Sequence, residues 1–260
     1  MAETPAWDRN LLSDPHTVHD KSRRVRRMFA AIAPFYDLNN RIHSFGRDQS
    51  WRRRAVKLAS LKPTDVVVDV ACGTGDLTLA MLQGLMAAGD GSTPAPGQVI
   101  GVDFTWEMLP RARQKAMSVE PRVPILLVNG DATTLPLPDA CADVVSIAFG
   151  IRNVQEPARA LREFRRILRP GGRLVVLEFS EPENRLLRSL NRLYTHKIMP
   201  VTATWISRDR TGAYRYLPRS IGTFWNRQVM TNMLREADFV NITMHPMTFG
   251  VCVCYRAVAP

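Results

Sequence analysis

The stretch Val66-Val67-Val68-Asp69-Val70-Ala71-Cys72-Gly73-Thr74-Gly75-Asp76 constrains the fold more than any other part of the chain. Its unbroken β-branched run suits a strand buried on both faces, and an apolar helical pattern begins at Leu77, just past the two glycines. Strand, tight turn and helix in that order open a doubly wound α/β sheet. Glycine at 73 and 75 lets bare backbone approach a ligand with no Cβ in the way. The spacing G-x-G-D departs from the dinucleotide fingerprint, and no Gly-Lys-Ser/Thr follows, which excludes a phosphate loop.

Three further runs repeat the pattern. Gln98 to Asp103 ends in a carboxylate where this architecture holds the hydroxyls of a ribose. Ile125 to Val128 leads into Asn129-Gly130-Asp131-Ala132, and Asp143 to Phe149 makes a fourth strand. Acids at the strand tips 69, 103 and 131 suit a ligand with a ribose, an exocyclic amine and a positive charge. They would repel a pyrophosphate. S-adenosylmethionine carries the first groups and lacks the last.

At this point the chain resembles a known family. Asp69 to Asp76, Asp103, Asp131-Ala132 and Leu168-Arg169-Pro170-Gly171-Gly172 are similar to the successive motifs of class I S-adenosylmethionine-dependent methyltransferases. Phe35-Tyr36-Asp37-Leu38-Asn39 with Ser44 and Trp51-Arg52, the stretch Phe149 to Val154, and Arg166 to Ser180 resemble signatures of the ubiquinone/menaquinone biosynthesis C-methyltransferases. The resemblance runs from Val25 to Tyr255. It implies an α/β fold with a doubly wound, mostly parallel, seven-stranded, Rossmann-like sheet, an N-terminal helical cap and an inserted substrate segment. It also implies S-adenosylmethionine as methyl donor, no metal, and a prenylated hydroquinone as acceptor. Demethylmenaquinol is the expected substrate, with the ubiquinone-pathway benzoquinol as the alternative.

At 260 residues the chain is expected to form a flexible stretch over 1–20 and one methyltransferase domain over 21–260. Within the domain, 21–60 would be the helical cap, 61–180 the cofactor core, and 181–260 the substrate segment and closing strands. Helices are expected at Lys21 to Met28, Trp51 to Leu58, Pro157 to Leu168 and Val229 to Ala237, with a surface loop over Gly89 to Gly97. Pro170-Gly171-Gly172 should turn the third of these into a strand from Arg173 to Glu178. No apolar run reaches membrane-span length and the N-terminus has no export signal, so a cytoplasmic protein is expected. The four scattered cysteines read as small apolar residues. The net charge of +11 is uneven, with an acidic core between 61 and 150 and basic flanks. Basic flanks suit an anionic membrane surface or nucleic acid. The apolar and basic residues of Leu186 to Trp205 suit peripheral membrane contact and equally a core helix with a solvated face. No Asn/Asp-Pro-Pro-Tyr/Phe segment of the amino-group methylators follows the fourth strand, so no nucleic acid is expected. A homo-oligomer, a quinone-synthesis complex and a non-catalytic cofactor-binding scaffold stay open.

Asp103 should accept from the ribose hydroxyls, while Asp69 with Gly73, Thr74 and Gly75 should face the methionine portion. Asp131 should take the adenine amine, with Ala132 offering a backbone donor. The family often has serine where this chain has Ala148, so one polar contact is missing there. A ring carbon becomes nucleophilic when the neighbouring phenol, with a pKa of about 10, loses its proton. Arg152 is expected to stabilise that phenolate or position a water, and Asn153 to orient a ring oxygen. His196 is a candidate base. Tyr36 and Asp37 should close over the ring, Tyr194 should line its pocket, and Tyr216 belongs to a Tyr-x-Tyr-Leu-Pro stretch resembling the family's pocket wall.

Overall fold

The computed structural model describes residues 6–8, 10–89, 97–118, 124–207, 209 and 211–260. Three helices precede the sheet: α1 (Lys21–Ile32), α2 (Tyr36–His43) and α3 (Arg47–Ala59). Then follow β1 (Val66–Val70), α4 (Asp76–Ala88), β2 (Gln98–Asp103), α5 (Leu109–Met117), β3 (Ile125–Asn129), β4 (Ala142–Ala148), α6 (Pro157–Ile167) and β5 (Leu168–Phe179). The inserted segment is helical: α7 (Arg185–Leu193), a π-helical turn (Tyr194–Ile198), α8 (Met199–Ser207) and α9 (Ala213–Gly222). Helix α10 (Arg227–Glu236) and strands β6 (Val240–Met247) and β7 (Cys252–Val258) close the chain.

The sheet order is β3-β2-β1-β4-β5-β7-β6, with β1 to β5 parallel and β7 antiparallel to both of its neighbours. This is the doubly wound, mostly parallel, seven-stranded sheet expected from the sequence. Successive strand residues feed opposite faces. Val68 and Val70 join Ile147, Leu161 and Phe164 under α6 and α10, while Val67 joins Val99, Met81 and Leu85 under α3 and α4. Parallel order leaves the β1–β4 tips together at one edge, with the strand order reversing between β1 and β4. Ligands of open α/β sheets bind at that switch point.

Several boundaries differ from expectation. The N-terminal stretch is packed rather than flexible over its described part: Trp7 is fully buried and stacks on Tyr216 with ring centroids 4.5 Å apart. A large apolar ring leaves water wherever a cleft will take it, and the cleft here lies between α1 and α9. Residues 1–5 lie outside the described residues. The surface loop expected at Gly89 to Gly97 does too, apart from its two end glycines. Helix α1 runs on to Ile32, and Ala33-Pro34 forms a 3-10 turn (Ala33–Phe35) rather than a break, since proline fits a first helical turn. Pro170-Gly171-Gly172 lies within β5, whose pairing jumps from Ala142↔Leu168 to Val144↔Arg173; Gly171, at φ 75°, takes the left-handed conformation of this bulge. Among the described residues no helix is long and apolar enough to cross a membrane.

Candidate active site

Two cavities meet above the switch point. The smaller, about 110 Å³, is lined by Gly73, Asp103, Asp131, Ala132 and Ala148 at the strand tips and by Ser22, Val25 and Phe29 of α1. The larger, about 440 Å³, is walled mainly by aromatic and aliphatic side chains from α1, α2, α3, the β5 tip and the inserted helices. Phe29, Tyr36 and Phe149 line both, so these three rings form the partition.

Phe149 is held there against its own backbone preference. Its φ of 55° lies in the left-handed region, uncommon for a bulky residue, and Ala71 at the β1 tip does the same at φ 52°. The turn passes directly over the neighbouring loop: a Cβ on Gly150 would come within 2.7 Å of the Ala71 Cβ. The Phe149 amide donates to the Leu177 carbonyl at 2.7 Å. Its carbonyl accepts from Arg152 Nη1 at 2.6 Å and Asn153 Nδ2 at 3.1 Å.

On the smaller side, Asp103 is buried and its two oxygens accept from the Gly73 amide and the Thr105 amide, each at 2.7 Å. Each oxygen keeps a lone pair for a ligand hydroxyl. Burial raises its pKa to about 6, against the pull of those two amides. Asp131 accepts from the Thr133 amide and hydroxyl through Oδ1, both at 2.8 Å, and lines the cavity beside Ala132. The set fits S-adenosylmethionine: carboxylates at two strand tips, and a glycine, Gly73, whose missing Cβ would meet nothing within 4 Å.

Three expected cofactor contacts lie elsewhere. Asp69 lines neither cavity; it accepts from Thr78 Oγ1 at 2.7 Å and Ser146 Oγ at 2.8 Å, tying α4 and β4 to β1. Burial raises its pKa to about 6 despite those hydroxyls. Gly75 serves packing: at φ 86° its absent Cβ would sit 3.0 Å from the Ala112 Cβ of α5. Thr74 donates to Asp37 Oδ1 at 2.5 Å and accepts from Lys115 Nζ at 3.2 Å. Asp37, expected against the ring, therefore faces the glycine turn instead, where it also pairs with Lys115 at 2.7 Å. Lys115 reaches Asp76 at 2.5 Å as well, while Arg52 stands 3.7 Å from that carboxylate and donates to Asp48 at 2.7 Å. Burial alone would raise the Asp76 pKa; Arg52 and Lys115 outweigh it and hold the carboxyl low.

On the larger side, Arg152 is buried and pairs with Glu178 at 2.7 Å, its guanidinium 5.3 Å from the Phe179 ring centre. Asn153 lines the smaller cavity, and its Oδ1 accepts from Tyr216 at 2.9 Å across the partition. Tyr36, Tyr194, Tyr216 and His196 all line the larger cavity, and Tyr194 donates to the His43 carbonyl at 3.2 Å. His196 is exposed overall; partial desolvation of its ring and the charges of Arg219 and Arg192 lower its pKa, which favours the neutral form. Burial raises the pKa of Tyr36, so it remains a donor.

Glu178 and Lys115 had no role in the sequence reading. Glu178 had a signal, an acid ending the fifth strand as Asp69 and Asp103 end theirs. Lys115 had none, because a lysine on a helix is ordinarily a solvated charge. Among the described residues no three His, Cys, Asp or Glu side chains are grouped to hold a metal ion.

The model of the ubiE/COQ5 methyltransferase family matches residues 17–259. A demethylmenaquinone methyltransferase of Thermus thermophilus is 42% identical over 90% of this chain and 100% of its own length. The ubiquinone/menaquinone biosynthesis C-methyltransferase UbiE of Geobacter sulfurreducens is 37% identical over 91% of this chain and 88% of its own. Among solved structures, a SAM-dependent methyltransferase of Thermotoga maritima superposes with a TM-score of 0.59 at 22% identity, covering 91% of this chain and 100% of that one. The [4+2]-cyclase SpnF gives 0.62 at 18% identity, covering 92% and 97%. At such identities the structural likeness speaks for the fold alone.

Proposed function

The chain belongs to the ubiE/COQ5 methyltransferase family, and from that premise we propose that it is the S-adenosylmethionine-dependent C-methyltransferase that converts a prenylated hydroquinone, demethylmenaquinol, to menaquinol. The observation that carries this is the partition at Phe149, with a carboxylate-tipped cavity on one side and a large apolar cavity holding a buried arginine on the other. Bound S-adenosylmethionine supplies an electrophilic methyl carbon. Asp103 and Asp131 would hold its ribose and adenine ends, leaving the protein mainly to align the acceptor.

Arg152 cannot take a proton, so its part is to stabilise the phenolate that makes the neighbouring ring carbon nucleophilic. Glu178 fixes the guanidinium's orientation. Tyr216 and Asn153 hold the pocket wall against the partition, and Tyr36 closes it from the cap. A methylated ring carbon must lose its hydrogen to restore aromaticity, and neutral His196 is the acceptor offered at the mouth. The apolar walls suit a ring followed by a prenyl chain. Exposed Leu186, Leu190, Leu193, Val201 and Trp205, with α7 burying none of its residues, would meet an anionic membrane from which that chain is drawn.

The test is an anaerobic assay with methyl-labelled S-adenosylmethionine and reduced demethylmenaquinone, read by mass spectrometry. Label on the naphthoquinol ring is the expected result. Ubiquinol precursors run in parallel decide the second reading, which the double name of the Geobacter relative favours. Cofactor binding with label on neither ring removes the proposed acceptor.

A further inference from the structure

The smaller cavity has the right groups for its ligand and too little room. At about 110 Å³ it falls below the few hundred Å³ that small-molecule and cofactor sites ordinarily offer. Its roof is the cap, since Ser22, Val25 and Phe29 of α1 and Tyr36 of α2 line it directly. With the cap in this position the cavity is too small for a nucleoside-sized ligand, so the cap must shift to admit one.

The cap is fastened at both ends. At its start, buried Lys21 donates to the Val154 carbonyl at 2.6 Å and the Ser22 amide donates to Gln155 at 3.0 Å. Lys21 is fully buried, and both bonds tie the start of α1 to the stretch after β4. At its other end, Asp37 receives the Thr74 hydroxyl at 2.5 Å and the Lys115 ammonium at 2.7 Å. The side chains of Lys115 and Asp37 are 28% and 38% exposed, so water can replace each partner as the contact opens. The first fastening therefore acts as a hinge and the second as a catch. The catch closes on the glycine turn that would hold the methionine portion of the ligand.

We propose that α1 and α2 form a gate for cofactor exchange, and that the Asp37–Lys115 ion pair is the latch that sets how fast the methylated-donor product, S-adenosylhomocysteine, leaves. This rests on reading the smaller cavity as the cofactor's. Asp37 and Lys115 are positioning residues on this account, touching neither donor nor acceptor. Both act through Thr74 and the loop beside it.

The test is the release rate of radiolabelled S-adenosylhomocysteine from the full chain, by rapid filtration after addition of excess unlabelled ligand. Asp37→Asn spares the Lys115–Asp76 pair and keeps the side-chain shape. It should speed release at least fivefold with no change in melting temperature. Lys115→Met should do the same, the double variant no more than either single one, and Asp37→Glu should stay within twofold of wild type. Hydrogen exchange of the 22–36 amides, slowed by ligand in wild type, should be slowed less in Asp37→Asn. Release that is unchanged in Asp37→Asn, or that adds across the double variant, overturns the latch while the cofactor reading survives. A wild-type chain that binds no S-adenosylhomocysteine overturns the reading of the cavity and the gate with it.

Discussion

Arg152 stands between stability and chemistry. Deleting one member of its buried pair would leave Glu178 charged and uncompensated, a cost of about 3–5 kcal/mol. Arg152→Met should therefore lower the denaturation midpoint sharply, whereas Arg152→Lys keeps a cation and should fold. Because lysine offers one nitrogen where the guanidinium donates through Nη1 to Phe149 and Glu178 and through Nε to Ser220, labelled-methyl transfer by Arg152→Lys should fall about a hundredfold, with cofactor affinity within twofold of wild type. Asp103 and Asp69 both have pKa values raised to about 6, with opposite consequences for measurement. Calorimetry should find cofactor affinity falling as pH drops through about 6, because Asp103 then loses the charge that accepts from the ribose. Asp69 lines neither cavity, so its shift acts on stability. A carboxyl whose folded pKa exceeds its unfolded value stabilises fully below the unfolded pKa and loses that contribution as pH rises through the folded one. Wild type should thus lose part of its thermal stability between about pH 4 and 7, and Asp69→Asn should flatten that slope. From sequence, the acids at 69, 103 and 131 all read as cofactor contacts; two oxygen-bearing neighbours, Thr78 on α4 and Ser146 on β4, decide that Asp69 points inward.

The strands were legible because parallel strands buried on both faces must be apolar throughout, and nothing else in the chain looks like them. The inserted segment was legible only as an amphipathic region, since the turns among α7, α8 and α9 depend on what they pack against. The fastening of the cap was not legible. Lys21 and Val154, or Asp37 and Thr74, lie far apart in sequence, and no periodicity marks a polar contact between distant elements. Trp7 is the clearest instance: one aromatic in a polar stretch turns out to seal the cluster of Val25, Met28, Tyr214 and Tyr216. Trp7→Ala should cost about 3–5 kcal/mol in chemical denaturation. It should also loosen the wall of the larger cavity through Tyr216, raising KM for the quinol more than KM for the methyl donor.

At the scale of the whole molecule, the membrane contact proposed above would draw on the exposed apolar residues of α7 and α8 and on the net charge of +11. Co-sedimentation with vesicles containing anionic lipid should retain the chain at low salt and release it as ionic strength rises. Trp205→Ala, at a side chain 82% exposed, should weaken that retention without moving the melting temperature. The division of the two cavities along the chain has a longer reach. Among the described residues, every side chain lining the smaller cavity comes from residues 22–155, and nothing after Gln155 touches it. The larger cavity draws on both parts of the chain, with α1 to α3, Phe149 and Arg152 from the earlier part and the inserted helices α7 to α9 from the later one. Donor recognition is thus carried on one stretch of the chain, and acceptor recognition adds a later, inserted segment to walls contributed by that same stretch. A lineage could exchange the segment from Arg185 to Gly222 for another and acquire a different acceptor while keeping its methyl donor intact.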